Sequence, residues 1–344
     1  MNLRTALRLW TIRPRSAARV RRGTLVALAV MAALPDIAAA HGPVAPVATS
    51  YLAKVSSVPA GIEAKVIDGY VRLWLRVPPD QTVVVLDYHH APYLRFSRSG
   101  VQVNLNSTMY YLNQTPVAET PPADLRPSTP PHWQSVSSGH DYEWHDGRLQ
   151  ALAAVALTPG TSYLGRWSVP LQLDGRPGAV SGGLWHADDP PLVWFWPIVV
   201  LLACVLASWR VRRPRLDALV ARLLGIAAVF AIAVAAIGRG LHGRPTVSVI
   251  QLIELGFVLA LIGSALFHVL TARAGYFAYF VVAVVAIWEG LNLLPTLLHG
   301  YVLVALPAFL VRSATVLCLG AGAGLLLLVF RLSDQGEAGT RRNR

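Results

Sequence analysis

Seven of the ten histidines in this 344-residue chain lie between residues 41 and 190: His41, His89, His90, His132, His140, His145 and His186. Carboxylates stand close to several of them, in Asp87, Asp141, Glu143 and Asp146. Imidazole and carboxylate are ligands of divalent transition metals. His41 has a second qualification. It follows Ala38-Ala39-Ala40, and small residues at −3 and −1 fit signal peptidase, so cleavage after Ala40 would make His41 the mature N-terminus. A terminal histidine offers its α-amine and a ring nitrogen to one metal as a chelate. With His140 and His145 as further imidazoles, the expected site is a tetragonal Cu(II) centre, with Zn(II) the second choice. Met1, Met31 and Met109 are the only methionines, which argues against a thioether Cu(I) relay. The competing reading of each histidine is an ordinary solvated or hydrogen-bonded side chain, and for His41 merely the residue that follows a cleavage site. If His89 and His90 lie on a strand they point to opposite faces, so at most one can join a shared site.

A second constellation is Glu254, Glu289 and Arg312, each inside a long apolar run. Charged groups within a span are costly and face the bundle interior or water. Counting 1.5 Å per residue places each roughly 8–15 Å deep in the outer half of the membrane. Arg312 is expected to neutralise one or both carboxylates there. The plain reading is a structural ion pair pinning three helices. The functional reading is a polar cavity for ion or proton movement. His242 and His299 fall on the same outer side, and His268 near the inner end of its run.

Enzyme signatures are absent: no Gly-x-Ser-x-Gly elbow, no His-Glu-x-x-His, no phosphate loop and no dinucleotide fingerprint. Asp141 and Glu143 are two apart on an expected strand and would share a face, but nothing else marks them as an acid–base pair. Gly320-Ala-Gly-Ala-Gly324 offers a flat surface for close helix packing.

The elements that must carry these residues follow from composition. The chain is 54% hydrophobic and 14% charged, where a soluble domain carries about 25% charged residues. Two cysteines exclude a disulfide scaffold and a cysteine-rich zinc module. The net charge of +12 resolves into +6 over residues 1–40, −2 over 41–190 and +8 over 191–344. Basicity thus sits at the ends and beside apolar runs, as membrane topology requires, and nucleic-acid binding is excluded. Residues 1–40 read as a signal peptide: seven arginines, an apolar core from Thr24 to Leu34, then Pro35. Arg21-Arg22 hints at twin-arginine export, but Gly-Thr-Leu follows, and Sec export is the default.

Residues 41–190 read as an exported β-domain. Strands are expected on either side of Asp68-Gly69 within Val66–Val77, and at Thr82–Leu86, Tyr93–Phe96, Val101–Leu105, Asp141–Trp144, Tyr163–Leu173 and Ala179–Trp185, with a hairpin turn at Asp174-Gly175. Pro116–Pro131 is a proline-rich loop, and Leu149–Leu157 is the one stretch with helical period. About seven short strands in about 150 residues predict a β-sandwich. Residues 191–332 hold five apolar runs, near 192–209, 218–237, 248–270, 276–294 and 302–330, each close to the length of a spanning helix. Arg210, Arg212, Arg213, Arg215 and Arg222 follow the first run, Arg273 the third and Arg331 the fifth, so these loops and the basic tail, 333–344, lie in the cytoplasm. The β-domain is then outside, in agreement with the signal peptide. Trp194, Trp196 and Trp209 bracket the first run as interfacial anchors.

The stretches Val83-Val-Val-Leu-Asp-Tyr-His-His-Ala-Pro-Tyr-Leu-Arg-Phe96, Tyr111-Leu-Asn-Gln114, Trp144-His-Asp146, Trp167-Ser-Val-Pro-Leu171 and Ala305-Leu-Pro-Ala-Phe-Leu-Val-Arg312 resemble a family of actinobacterial membrane proteins without assigned function. The resemblance covers most of the mature chain and implies its fold and topology, not an activity. Members of that family continue Trp-His-Asp with further histidines, whereas Gly147-Arg-Leu-Gln150 follows here. A fainter likeness is to copper-resistance C-type β-sandwich domains, which begin at a mature N-terminal histidine. Trp167 and Asp174-Gly-Arg-Pro177 match their late motif, with Arg176 where a ligand histidine would stand.

Three readings of function result. The first is a non-enzymatic membrane-anchored envelope protein, embedded in the plasma membrane, that binds a divalent metal at its outer face. The second is a metal-free structural module docking another envelope or membrane protein. The third is a small transporter component using Glu254, Glu289 and Arg312.

Overall fold

The computed structural model describes residues 46–114, 118–150, 162–211, 213–243, 245–270 and 276–342, the side chains of 209, 211, 214 and 333–342 excepted. The expected signal peptide, His41, and most of the Leu149–Leu157 stretch lie outside the described residues. Two compact units divide the chain: a β unit, Ser50–Asp188, and a helical unit formed by the residues up to Thr49 and those from Asp189 onward.

The first strand, β1 (Ala48–Thr49), belongs to the helical unit. The β unit contains β2 (Tyr51–Ser57), β3 (Glu63–Ile67), β4 (Arg72–Arg76), β5 (Val83–Leu86), β6 (Pro92–Ser97), β7 (Gly100–Asn104), a short helix α1 (Thr108–Leu112), β8 (Trp133–Ser137), β9 (Asp141–His145), a 3₁₀ turn at Gly147–Gln150, β10 (Tyr163–Leu173) and β11 (Arg176–His186). Seven strands form one antiparallel sheet in the order β2-β11-β10-β5-β6-β7-β8, and β3-β4-β9 form a second. One buried cluster draws on both sheets. Leu73, Leu75 and Trp144 come from the small sheet, and Val85, Leu94, Phe96, Val101, Val169, Leu171 and Val180 from the large one. Alternation along the strands produces this. In β5, Val83 and Val85 are buried while Val84 and Leu86 are only half-buried, the period of two that points successive side chains to opposite faces.

Turn chemistry fixes the register. Asp174 and Gly175 have φ of 47° and 78°, the paired positive values of a type I′ hairpin, so Leu173 faces Arg176 and β10 and β11 run together for their full lengths. Asp174 also accepts the Thr82 amide at 2.9 Å through Oδ1, which seats the start of β5 beside β10. Trp167 lies against β11 where a Cβ on Gly182 would come within 2.4 Å of its ring. Its indole N–H donates to the Gly183 carbonyl at 3.0 Å.

In the helical unit a 3₁₀ turn, Leu192–Phe195, leads into α2 (Trp196–Val211). Then come α3 (Pro214–Gly240), α4 (Val249–Leu270), α5 (Tyr276–Leu293), the single turn α6 (Pro295–Leu298), β12 (Tyr301–Val302) and α7 (Ala308–Arg342). Among the described residues four stretches are long and apolar enough to cross a membrane: Arg215–Gly240, Val249–Leu270, Tyr276–Leu293 and Ala308–Leu332. Two of the five expected runs come out differently. The apolar helix in the first, Leu192–Ser208, is shorter than these four. The last does not begin helically at 302: residues 301–302 pair with β1, and Pro307 precedes the helix.

The bundle is built around α7, which packs on α2, α3 and α5. The glycine run makes this possible. A Cβ on Gly320 would stand 2.8 Å from Leu201 Cδ1 and 3.4 Å from Ile198 Cα of α2, and one on Gly324 3.1 Å from Val205 Cγ2. Gly322, on the other face, would come 3.1 Å from Ala286 Cβ of α5. Positions four apart share a helix face, so the alternating glycines admit two neighbours at close range. By contrast α4 packs mainly on α3.

Val47 and β1 are held at one end of this bundle. Ala48 pairs with Val302 and Thr49 with Tyr301, the Leu303 amide donates to Val47 O at 2.8 Å, and Val47 clusters with Ala235, Leu293 and Val311. Residues 46–49 thus pack as part of the helical unit. The β unit is an insertion into it, and its two ends meet where the Ala187 amide donates to Ser50 O at 3.0 Å.

Candidate functional site

The richest polar constellation of the β unit joins the motifs Asp87-Tyr-His-His-Ala-Pro92 and Trp144-His-Asp-Gly-Arg148. Asp87 and Asp146 are each 1% exposed. Asp87 closes the turn between β5 and β6. Its Oδ1 accepts the amides of His89 and Ala91 at 2.8 and 2.9 Å, and its Oδ2 the Ser107 hydroxyl at 2.9 Å. Asp146 is gripped side-on by Arg148, with Nε to Oδ1 at 2.8 Å and Nη2 to Oδ2 at 2.7 Å, and it accepts the Trp144 indole N–H at 2.9 Å. The same guanidinium donates through Nη1 to Leu86 O at 2.8 Å and lies 5.2 Å from the centre of the Tyr88 ring. Tyr88 Oη accepts the Gly147 amide at 2.8 Å. Burial pushes the Tyr88 phenol above its ordinary value, and the Asp146 charge adds to this. Arg148 thus ties the end of β5, in the large sheet, to the end of β9, in the small one. These acceptors are occupied by protein donors, and the chemistry of the cluster is that of a clamp.

His89 and His90 lie in the turn that Asp87 organises, not on a strand, and His90 adopts φ of 63°. His89 lines a cleft with Asn106, Thr108, Pro121, Pro122, Leu125, Arg126 and Pro127, where the proline-rich loop covers the β5–β6 turn. His132 donates its amide to Asn104 Oδ1 at 2.8 Å, and His186 sits against the Tyr51 ring with Asp188 at 4.0 Å.

The outer face of the small sheet is a charged lattice set by register. Glu63, Arg76 and Asp141 stand in one cross-strand row, Lys65, Trp74 and Glu143 in the next, and Ile67, Arg72 and His145 in the third. Trp74 is 1% exposed although it faces outward, because Lys65 and Arg76 lie over its ring at 5.3 and 5.0 Å. Its indole donates to Asp141 Oδ2 at 3.1 Å. Arg72 pairs with Asp68 through Nε at 2.9 Å and with Glu143.

Of the expected metal ligands, His41 lies outside the described residues, and His140 and His145 are set apart. His140 precedes β9 and His145 ends it, so about 16 Å of extended strand separates them. His140 lines a groove with Glu63, Asp141, Arg76 and Pro78, but Asp141 is engaged by Trp74 and Glu63 faces Arg76 at 3.7 Å. Among the described residues no three His, Cys, Asp or Glu side chains stand where they could share a metal ion. His145 is held below its ordinary value by partial burial and then by Arg72, with Asp68 and Glu143 opposing.

In the helical unit the three expected charges do not form one cluster. Glu289 of α5 pairs at 2.9 Å with Arg239, which belongs to the last turn of α3. Arg312 of α7 meets carbonyls: its Nε donates to Thr296 O at 2.9 Å and its Nη2 to Gly300 O at 3.0 Å and His299 O at 3.3 Å. It holds the turn from α6 into β12, where the Thr296 and Thr315 hydroxyls also meet at 3.0 Å. Glu254 stands on the exposed side of α4 and has no hydrogen bond or ion pair with any described residue. A pair not foreseen from the sequence is Asp217 of α3 with Arg331 of α7 at 3.2 Å, Asp217 being 1% exposed. Its signal was a carboxylate in the first turn of α3 and an arginine just past an apolar run.

No protein-family model, curated protein or solved structure matches the chain.

Proposed function

We propose that the chain is an exported, multi-pass membrane protein without catalytic activity, whose β unit is a docking module for another envelope protein and whose helices are its mount. The observation that carries this reading is the insertion. The β unit leaves and rejoins the helical unit through ends bonded to each other, Ser50 to Ala187, directly after a strand locked into the bundle. A mount of that kind serves presentation. The buried polar side chains Asp87, Asp146 and Arg148 are taken up in holding the unit together. The core shared by the two sheets supports a β-sandwich.

In this reading residues 1–40 direct export and are removed after Ala40. The arginine-rich segment Arg210–Arg222 stays in the cytoplasm, and the β unit faces outward. A fifth crossing by α2 is supported by its packing along α7 at Gly320 and Gly324. Leu192–Ser208 reaches about 25 Å, a shortfall that membrane thinning and the tryptophans at its start can accommodate. The test is labelling of single cysteines by a membrane-impermeant reagent on intact cells, in a Cys204→Ser background. Label at Ser99→Cys but not at Ser333→Cys is expected. The reverse pattern, or label at both, rejects the topology.

A second reading is a Cu(II) ion, or less favourably Zn(II), at His41. What favours it is the placement of His41 directly after the expected cleavage site. The mature protein beginning at His41 is titrated with Cu(II) beside a version carrying one extra N-terminal alanine. Tight binding lost on adding alanine supports a terminal-histidine site, and binding indifferent to it rejects one. Transport through the intramembrane charges is the least favoured reading, because Glu289 and Arg312 are engaged by Arg239 and by backbone carbonyls.

A further inference from the structure

Among the described residues, the carboxylates of the long helices follow a pattern that breaks at one residue. Asp217 of α3 meets Arg331 of α7, and Glu289 of α5 meets Arg239 of α3. Each is a carboxylate answered by an arginine on another helix. Glu254 of α4 has no such answer from any described residue. It sits about 7–8 Å into its helix from Val249, counted at 1.5 Å per residue. An unanswered carboxylate at that depth in a bilayer is costly.

Its surroundings form a ridge. Ile250, Glu254, Phe257 and Leu261 succeed one another at spacings of four, three and four, the repeat that lines up one helix face. Ile250, Phe257 and Leu261 are 65, 67 and 57% exposed. Behind them, Leu255, Leu259 and Ile262 are half-buried and turn toward the bundle, and none of the most apolar window of α4 is buried within this chain. The face is thus apolar, long and uncovered, with one negative charge near one end.

We propose that this ridge of α4 is the docking face for a transmembrane helix of a different protein, one that brings an arginine or lysine to the level of Glu254. Charge complementarity selects that occupant. A second copy packed on the same ridge with parallel orientation would set Glu254 against its own counterpart, where two like charges repel. A basic residue in the partner instead completes the carboxylate–arginine pattern seen twice inside the bundle. The proposal rests on the chain being embedded in a bilayer and is independent of what the β unit binds.

The test uses the full-length protein in phosphatidylcholine bilayers and a labelled synthetic single-span helix of leucine and alanine. The helix carries one arginine about five residues into its apolar stretch, and a control helix carries glutamine there. Energy transfer from the protein to the helix reports association. The arginine helix is expected to bind about fivefold or more tightly than the glutamine helix, the scale of one good interhelical polar contact, and Glu254→Gln should abolish the difference. Equal binding of the two helices, or a preference that survives Glu254→Gln, overturns the proposal. So does a lower melting temperature for Glu254→Gln alone, which would place Glu254 in this chain's own fold. A Phe257→Cys variant in a Cys204→Ser background supplies a further check. A disulfide-linked dimer through Cys at that position makes the ridge a self-pairing surface and overturns the proposal as stated. None of these outcomes touches the cysteine-labelling test of topology, so the two readings fail separately.

Discussion

The β unit and the helical unit both bury charge, and they use it differently. In the β unit each such group has several partners drawn from the turns at the ends of strands. Asp87 takes two amides and a hydroxyl, and Arg148 takes a carboxylate two residues away, a carbonyl and an aromatic face. In the helical unit the carboxylate–arginine pairs join residues far apart on different helices, Asp217 with Arg331 and Arg239 with Glu289. The contrast follows from what each unit must define. Turns between strands have free backbone groups that polar side chains can satisfy. Helices satisfy their own backbone in the middle, so a charge there can only report on which helix stands next to it, or cap a free carbonyl end as Arg312 does.

The largest expected effect tests the first half of that contrast. Arg148→Met leaves Asp146 buried without its guanidinium and is expected to cost about 3–5 kcal/mol, read as an early loss of tryptophan fluorescence on heating the full chain. Arg148→Lys should not rescue it, since a lysine cannot grip the carboxylate side-on while reaching Leu86 O. Full stability in the lysine variant would remove the clamp from the account. Next, Arg312→Gln is expected to lose about 2–3 kcal/mol with its charged hydrogen bonds. The released turn should open the segment from 299 to 305 to hydrogen exchange, together with its partner β1. If exchange rises in neither, Arg312 does not hold the β1–β12 pair. Gly320→Val drives a side chain into Leu201 of α2 and should cost about 1–3 kcal/mol, with α2 the first helix to become protease-sensitive. Equal sensitivity of all helices would show that α2 is not separately seated.

The smallest effect is one of pH. His145 titrates below its ordinary value in the fold, so the folded state resists its protonation. Stability is therefore fully present above the unfolded value of about 6.5 and falls as pH drops through the lower folded value. Replacing His145 by Asn should flatten melting temperature against pH in that window alone. An unchanged slope would mean that other groups set it.

Much of the β unit was legible from its β-branched, alternating and turn-forming residues. Thr82 to Leu86 is a β-branched apolar run, Trp167 to Leu173 carries a period of two, and Asp174-Gly175 carries the turn. β2 and β8 were not expected. Trp133–Ser137 is an edge strand without a buried side chain, and Tyr51–Ser57 pairs on one side with β11, so neither needs the alternation that would betray it. The same limit applies to β1 and β12, two residues each, which exist only because they meet. The membrane carboxylates and Arg312 were visible as costly residues, but their partners were not. Depth along an apolar run says how far a charge lies from an edge, and nothing about which way its helix is turned. For the histidines the sequence shows only a local density of imidazoles, which does not by itself imply convergence, and β9 sets His140 and His145 at its two ends.

The pairing of Ala48 with Val302 joins residues about 250 positions apart, a contact whose loop closes late in any folding route. On the ribosome, Ala48 emerges ahead of the whole β unit and Val302 after three of the four long helices. The β unit is complete well before that and can fold while its forward tether still has no partner. Closure of β1 on β12 then becomes an end-of-synthesis step. A chain truncated before residue 300 should carry a folded β unit whose N-terminal strand is open to protease, so that this one short ladder records whether the protein was finished.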